Sequence, residues 1–340
     1  MRLSSVPRAI LGVALASAVA ATLVACSINA ATGERQFNAL SPADEIALGT
    51  QEAPKFTAEF GGAVPDSTLQ AYVTNIGKAL AAKTEGDNPS LPWTFTLLNT
   101  DEINAFALPG GKVFFTRGLA ERLTSEAQMA SVLGHECGHV TARHTNSRMA
   151  DAGITSLIVG GAAAVLSKDQ ATADQISQVG EQVGGVVLLK FSRNQESQAD
   201  SLGMRYMSRA NYNPRAQREV MEVLMQAMAG GRSPEILSSH PHPETHIERI
   251  NAALAAEYAS TQNNPQFVMK DKEYQTQFLP RLKALPRPAA RPAASGANQL
   301  KAAPKKRSMI VAPPTDQALA IDMPATWCIH CTRLEAQTSQ

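Results

Sequence analysis

Hydrophobic and polar positions change their rhythm several times along the chain, and each change marks an element. After Arg2 and Arg8, residues 9–25 run without a charge. This is the layout of an export signal, not of a membrane span followed by a cytoplasmic domain. Periodic sequence begins beyond it. Ser41-Pro42-Ala43-Asp44 has the N-cap and first-turn chemistry of a helix start and leads into DEIALGTQEA. A second helix is expected over residues 67–82. WTFTLLN, from Trp93, alternates and is rich in β-formers, so it predicts a strand. NAFALPGGKVFFTRGL follows, two apolar runs parted by Pro109-Gly110-Gly111, which predicts a hairpin. SEAQMASVLGHECGHVTARH predicts a helix from near Ser125, which has with Gln128 the spacing of a capping box. Helical sequence continues through SQADSLGMRYM, in a segment ending near Met228 and in another beginning near Pro243.

The expected fold class is therefore α+β, mostly helical with a small sheet, and no 34-residue repeat of stacked helical pairs is visible. The periodic region ends near residue 285. Beyond it, LPRPAARPAASG has neither a helical nor a strand period and reads as a disordered, partly extended tail. The organisation expected is a signal over residues 1–25, a globular domain over 26–285 and a tail over 286–340.

Composition adds less than pattern does. With 44% hydrophobic and 18% charged residues the chain suits a globular core, and its net charge is only +1. The charge is uneven, since residues 275–315 hold eight basic side chains and no acidic one. Such a run is either a solvated linker or a contact for anionic lipid or cell-wall material. No nucleic-acid partner is expected. ITSLIVGGAAAVL, from Ile154, is apolar for 13 residues, too short to span a bilayer, and reads as a buried helix. Cys328 and Cys331 form a CxxC near the end of the chain, but no βαβ unit precedes it, so a local disulfide fits better than redox catalysis or a metal held with His330.

Candidate chemistry concentrates in HECGH, residues 135–139. At about 100° per residue His135 and His139 share one helical face with Glu136 at its flank, the arrangement that holds a zinc ion beside a general base. A catalytic zinc needs a third protein ligand. His144 falls half a turn away and is expected to point elsewhere, the longer metzincin spacing is absent, and Cys137 reads as a small core residue. Glu196 and Asp200, four apart in NQESQAD, offer a candidate pair: Glu196 to reach the metal, Asp200 to accept a ring N–H from a ligating histidine. The same pair also suits a solvated helix face.

NAFALPGG, HECGHVTARH, ESQAD and a histidine-proline pair, in this order, resemble the HtpX-like and CAAX-prenyl-protease family of zinc metallopeptidases, and most of all its periplasmic lipoprotein members. The stretch NAATGERQFNALSPADEIALG resembles theirs too, and the likeness covers residues 29–253. By position, the resemblance implies that His135, His139 and Glu196 bind one zinc ion, that Glu136 is the catalytic base and Asp200 a supporting acid, and that His240 approaches the active site. It also implies a gluzincin-type fold with the sheet above the active helix. One departure is visible: the pattern HPxxxxR, begun at His240-Pro241, puts arginine at position 246, where this chain has His246. Leu23-Val24-Ala25-Cys26 resembles the bacterial lipobox, in which the cysteine is lipidated, and Ser27 implies the outer membrane.

The implied reaction has Glu136 taking a proton from the attacking water and returning it to the leaving amine. The strand near residues 104–108 would pair with an extended substrate backbone, favouring unfolded over native chains. The expectation is thus a lipid-anchored periplasmic zinc endopeptidase acting on unfolded or misassembled envelope proteins. Two other readings are a chaperone-like factor working with the outer-membrane assembly machinery, its peptidase activity latent, and a thiol-redox protein built on Cys328 and Cys331. For His240 three roles stand open: oxyanion donor, occupant of the fourth zinc position, or a residue packed beside Pro241 with His242 and His246 exposed.

Overall fold

A computed structural model describes residues 26–85, 90–151, 190–230, 234–241 and 243–288. A short antiparallel hairpin, β1 (Cys26–Ile28) and β2 (Arg35–Phe37), comes first, and α1 (Pro42–Glu59) and α2 (Ser67–Ala81) follow it. Both helices start where a side chain caps them: Ser41 Oγ accepts from Asp44 N at 3.2 Å, and Asp66 Oδ1 accepts from Leu69 N at 3.0 Å.

Three strands then form one mixed sheet, β3 (Thr94–Leu98), β4 (Ala105–Leu108) and β5 (Lys112–Thr116), in the order β3-β5-β4. β5 lies in the middle, parallel to β3 and antiparallel to β4. The expected hairpin is the β4–β5 pair, and its turn is made by Gly110 and Gly111, both at positive φ. β4 and β5 are buried at every position, because successive side chains enter two different cores. Phe115, Val113 and Ala105 join the main core with Val73 and Leu80 of α2. Phe114, Phe106 and Leu108 face the other way, against Phe56 and Phe60 of the α1 end. Phe106 and Phe60 pack with ring centroids 5.0 Å apart.

A short turn of helix, α3 (Arg117–Ala120), leads to α4 (Glu126–Thr141), which carries the HECGH residues. Ser125 caps α4 by accepting from Gln128 N at 3.1 Å. The reciprocal arm of the expected capping box goes one residue further back, since Gln128 Oε1 accepts from Thr124 N at 2.7 Å. Every residue of α4 except Val140 is buried, which is why the helix shows no clean polar stripe in sequence. In its first turn the buried carboxylate of Glu126 accepts from the hydroxyls of Tyr72 and Tyr212, both at 2.6 Å, and anchors the helix start. At the other end, Asn29 Nδ2 donates to Thr141 O at 2.9 Å and Gln36 Nε2 to Ala142 O at 3.2 Å. The β1–β2 hairpin thereby satisfies carbonyls that the helix leaves open.

Beyond α4 lie α5 (His144–Asp151), α6 (Arg193–Arg209), α7 (Ala216–Ala229), α8 (Ile236–Ser239) and α9 (Pro243–Ala255). α6 opens with a full capping box between Ser192 and Gln195. Final helical pieces reach Ala284, and buried Arg117 donates to the carbonyls of Leu282, Leu285 and Pro286, tying that end to the sheet. The mostly helical fold with a small sheet beside the HExxH helix is as expected from sequence. No helix among the described residues is long and apolar enough to cross a membrane. The apolar run from Ile154, residues 1–25, the tail beyond residue 288 and Cys328/Cys331 lie outside the described residues.

α4 and α6 meet through small residues. A Cβ on Gly203 would lie 3.0 Å from His135 N, and one on Gly138 would lie 3.0 Å from Ala199 O. Backbone stands opposite backbone here, so nothing flexible can yield. Gly203→Val is expected to destabilise the metal-free protein by about 1–3 kcal/mol in urea unfolding. A midpoint equal to wild type would show that the helices have room to separate.

Candidate metal centre

The close approach of α4 and α6 sets two histidines of one helix against two carboxylates of the other. His135 and His139, one turn apart, point their Nε2 atoms at a common spot and stand 3.0 Å from each other. Glu196 reaches the same spot from α6, its Oε1 3.5 Å from His139 Nε2 and its Oε2 3.6 Å from His135 Nε2. The fourth group comes from the end of α8, where His240 Nδ1 lies 2.9 Å from Glu196 Oε1 and 3.3 Å from His135 Nε2. All four residues are buried, and their donor atoms lie within 4.8 Å of one another.

These donors fit a zinc ion. Atoms bound tetrahedrally at about 2.0–2.1 Å stand roughly 3.3 Å apart, close to the 2.9–3.6 Å seen here. Imidazole nitrogen and carboxylate oxygen are also the ligand types zinc takes. Glu196 Oε2 is buried without a hydrogen-bond partner among the described residues, as is Glu136 Oε1. Buried polar atoms left this way signal a missing binding partner.

Each zinc-facing histidine has its far nitrogen held, by different means. His135 Nδ1 lies 3.2 Å from Asp200 Oδ1. His139 Nδ1 lies 2.9 Å from His144 Nδ1, and His144 Nε2 lies 2.8 Å from Gln198 Oε1. The amide oxygen accepts, so His144 donates from Nε2, accepts at Nδ1 and leaves His139 to donate. Burial pushes the His144 imidazole down to about 4, which keeps it neutral as this chain requires. On both rings Nε2 faces the cluster; His139 Nδ1 is committed to His144, and His135 Nδ1 faces the Asp200 carboxylate at ion-pair distance without a closed hydrogen bond.

His144 thus departs from the expectation that it points away. The half-turn angle assumes a continuous helix, but α4 ends at Thr141 and Arg143 adopts a positive φ of 55°. The chain turns back and delivers His144 against His139. His246, expected to be exposed in one of the readings for His240, is buried and lies 2.6 Å from Asp200 Oδ2. Asp200 also accepts from Gln217 Nε2 at 2.9 Å and Arg249 Nη2 at 3.1 Å. Burial alone would raise its carboxyl, but the imidazoles of His135 and His246 hold it well below the usual range.

Glu136 is almost fully buried on the α4 face beside His135, and burial pushes its carboxyl up. His240 Nε2 lies 3.6 Å from Glu136 Oε1. Phe191 stacks on His139 at a centroid distance of 3.8 Å, and Arg148 lies over the Phe191 ring at 3.6 Å. An apolar cleft opens from His135 and Glu136, walled by Val132 of α4, Val220, Met221 and Leu224 of α7, and Ile236 of α8. Cys137 is buried and free, and burial pushes its thiol up, so it is inert in place.

A helix-borne HExxH with a glutamate brought in from a second helix defines a zinc metallopeptidase domain. The sequence profile of peptidase family M48 matches residues 67–255, more than half of the chain, and the chain belongs to that family. The beta-barrel assembly-enhancing protease of Escherichia coli is 30% identical over 223 residues, which are 63% of this chain and 45% of that protein. The mitochondrial metalloendopeptidase OMA1 of Schizosaccharomyces pombe is 31% identical over 227 residues, 66% of this chain and 65% of that protein. Metalloprotease YcaL of Escherichia coli is 26% identical over 219 residues, 64% of this chain and 82% of that protein. The chain spans less than half the length of the first of these relatives.

Metal removal is the direct check. Purified protein is expected to carry about one zinc per chain, and free zinc at a hundred times its Kd should stabilise the fold by about 2.7 kcal/mol over the chelated form. Equal melting temperatures with and without chelator would contradict a zinc held by this cluster.

Proposed function

We propose that this chain is a lipid-anchored zinc endopeptidase of the bacterial envelope, cutting unfolded or misassembled proteins. The observation that carries the reading is the convergence at one place of a four-donor metal cluster, a buried carboxylate without a hydrogen-bond partner at one oxygen, an edge strand and an apolar cleft. In this reading His135, His139 and Glu196 hold the zinc, which supplies Lewis-acid polarisation of the scissile carbonyl and acidifies the attacking water. Glu136 is the general base: its low-dielectric surroundings raise its proton affinity toward what a base near neutrality needs, and it passes the proton to the leaving amine. Asp200 keeps the His135 ring in the zinc-facing tautomer.

Two features favour unfolded substrates. β4 is the edge of the sheet, and Ala107 and Leu108 share a small pocket with His139, so an extended backbone pairing there passes beside the metal donors. The cleft beside Glu136 suits one apolar side chain, and native proteins keep such side chains inside. The name of the Escherichia coli relative points to the assembly of β-barrels, and envelope proteins of that kind, with their assembly machinery, are the partners this reading favours. Lipidation of Cys26, within its lipobox-like sequence, tethers the enzyme to the outer membrane.

In the same reading His240 occupies the fourth zinc position and keeps the enzyme silent until substrate displaces it. What supports this is its Nδ1, which lies within the cluster at ligand-like distances. α8, which ends beside it, is a single short turn that also walls the cleft. A side chain entering the cleft therefore presses on the segment that holds His240.

Four variants separate the parts of this reading. Glu136→Gln should keep its zinc and lose about 10²–10⁴-fold in cleavage of an unfolded protein, while Glu196→Ala should lose zinc itself; full zinc and full activity in Glu196→Ala would remove it from the ligand set. If Glu136→Gln rescued an envelope assembly defect, the chaperone-like role would stand in place of proteolysis. His240→Ala should raise turnover if it occupies the zinc position, whereas a hundredfold fall would assign it to oxyanion stabilisation. Cys26→Ser should shift the protein out of the outer-membrane fraction, and wild-type protein free in the periplasm without lipid on residue 26 would end the anchor proposal.

A further inference from the structure

The resembling motif places an arginine six residues after the histidine of its histidine-proline pair, and this chain has His246 there. A buried histidine beside two carboxylates is not a neutral exchange for arginine, whose planar fork of donors can bridge two acids at once. The surroundings of His246 show how the exchange is met. Its Nδ1 lies 2.6 Å from Asp200 Oδ2, and its Nε2 lies 3.4 Å from Glu196 Oε2, an oxygen without a hydrogen-bond partner among the described residues. The ring stands between the two acids of α6. Three residues further along α9, and so on the same helical face, Arg249 Nη2 lies 3.1 Å from the same Asp200 oxygen. Its side chain is one-third exposed, so it approaches Asp200 from the solvent side.

We propose that His246 and Arg249 together take the place of that single arginine: His246 spaces and orients Glu196 and Asp200, and Arg249 adds a permanently charged donor to Asp200 from the solvent side. The need for such a pair is physical. Glu196 and Asp200 lie one turn apart, both buried, and their charges repel. One must face the metal donors while the other holds His135 Nδ1. Gln217 holds Asp200 Oδ1 at 2.9 Å but brings no charge. His246 reaches both acids from α9, 2.6 Å from Asp200 Oδ2 and 3.4 Å from Glu196 Oε2, so its loss loosens the third ligand and the His135 support together. His246 acts through Glu196 and Asp200 and is therefore a positioning residue.

The inference rests on the zinc-peptidase reading of the site, but its readout is zinc affinity of the full-length protein measured against a chromophoric chelator, with circular dichroism of the metal-free form. Failure to cleave a chosen substrate leaves it intact. His246→Ala is expected to weaken zinc binding about ten- to hundredfold while the metal-free fold persists. His246→Arg combined with Arg249→Ala puts the motif's arginine at position 246 and should bring affinity back to within about threefold of wild type, an outcome a merely space-filling histidine would not produce. If His246→Ala fails to fold, His246→Gln, which keeps the volume and one donor, should show a clear loss of affinity on an intact fold. Wild-type zinc affinity in His246→Ala or His246→Gln, or a double variant as weak as His246→Ala, would overturn the proposal.

Discussion

Two buried carboxylates on one helix facing two imidazoles on another is the constraint around which the molecule is arranged. Charges taken out of water are costly unless each finds partners with good geometry. The partners here lie on α4, α7, α8 and α9, so all of these must be in place for Glu196 and Asp200 to remain inside. The contact that brings the acids to the histidines is itself tight, because Gly138, Ala199 and Gly203 let two backbones approach where larger residues would hold them apart. The sheet and the tyrosines around Glu126 fix the start of α4, and the β1–β2 hairpin fixes its end. The scaffold's task is to keep one helix still while a second supplies charge to it.

This arrangement explains what could be read in advance. Motifs confined to one helix were legible, since the spacing of His135, Glu136 and His139, and of Glu196 and Asp200, fixes their faces once a helix is granted. Capped helix starts at Ser41 and Ser125 were legible for the same local reason. Glu196 was reached through the resemblance of its motif, not through any local signal that joins residue 196 to residue 135. Phe191, Gln198, Gln217 and Arg249 were not legible, because their roles come from contacts between segments far apart in sequence. His144 was misplaced by a single assumption, that the helix runs on past Thr141. Arg143 at positive φ ends it there, and an arginine gives little warning of that conformation.

The two zinc-facing histidines turn the same nitrogen to the cluster and are backed by partners of different character. His135 leans on a carboxylate, His139 on a neutral histidine backed by an amide. A negative partner makes an imidazole a stronger donor to a metal, and a neutral partner does less of this. The carboxylates that surround His135 also raise its proton affinity against the effect of burial, whereas burial and the neighbouring histidines push that of His139 well down. The electron-rich end of the site is therefore the His135 end. Glu136 and the apolar cleft lie at that end too, while Glu196 stands between the two rings. Negative charge and the base are gathered on the side where an apolar side chain would enter, and the neutral chain through His139, His144 and Gln198 serves as a fixed hinge on the other.

The replacement of an arginine by His246 belongs to the same logic. A guanidinium between Glu196 and Asp200 would add a fixed charge at the electron-rich end, within reach of the oxygen that faces the metal donors. An imidazole there keeps the spacing of the two acids with a smaller and less polar group, while Arg249 places the charge further out, against Asp200 alone. Asp200 thereby meets protein donors at both of its oxygens, one of them a permanent charge from the solvent side. Glu196 is held by His240 at Oε1 alone, and its Oε2 faces the cluster without a hydrogen-bond partner among the described residues.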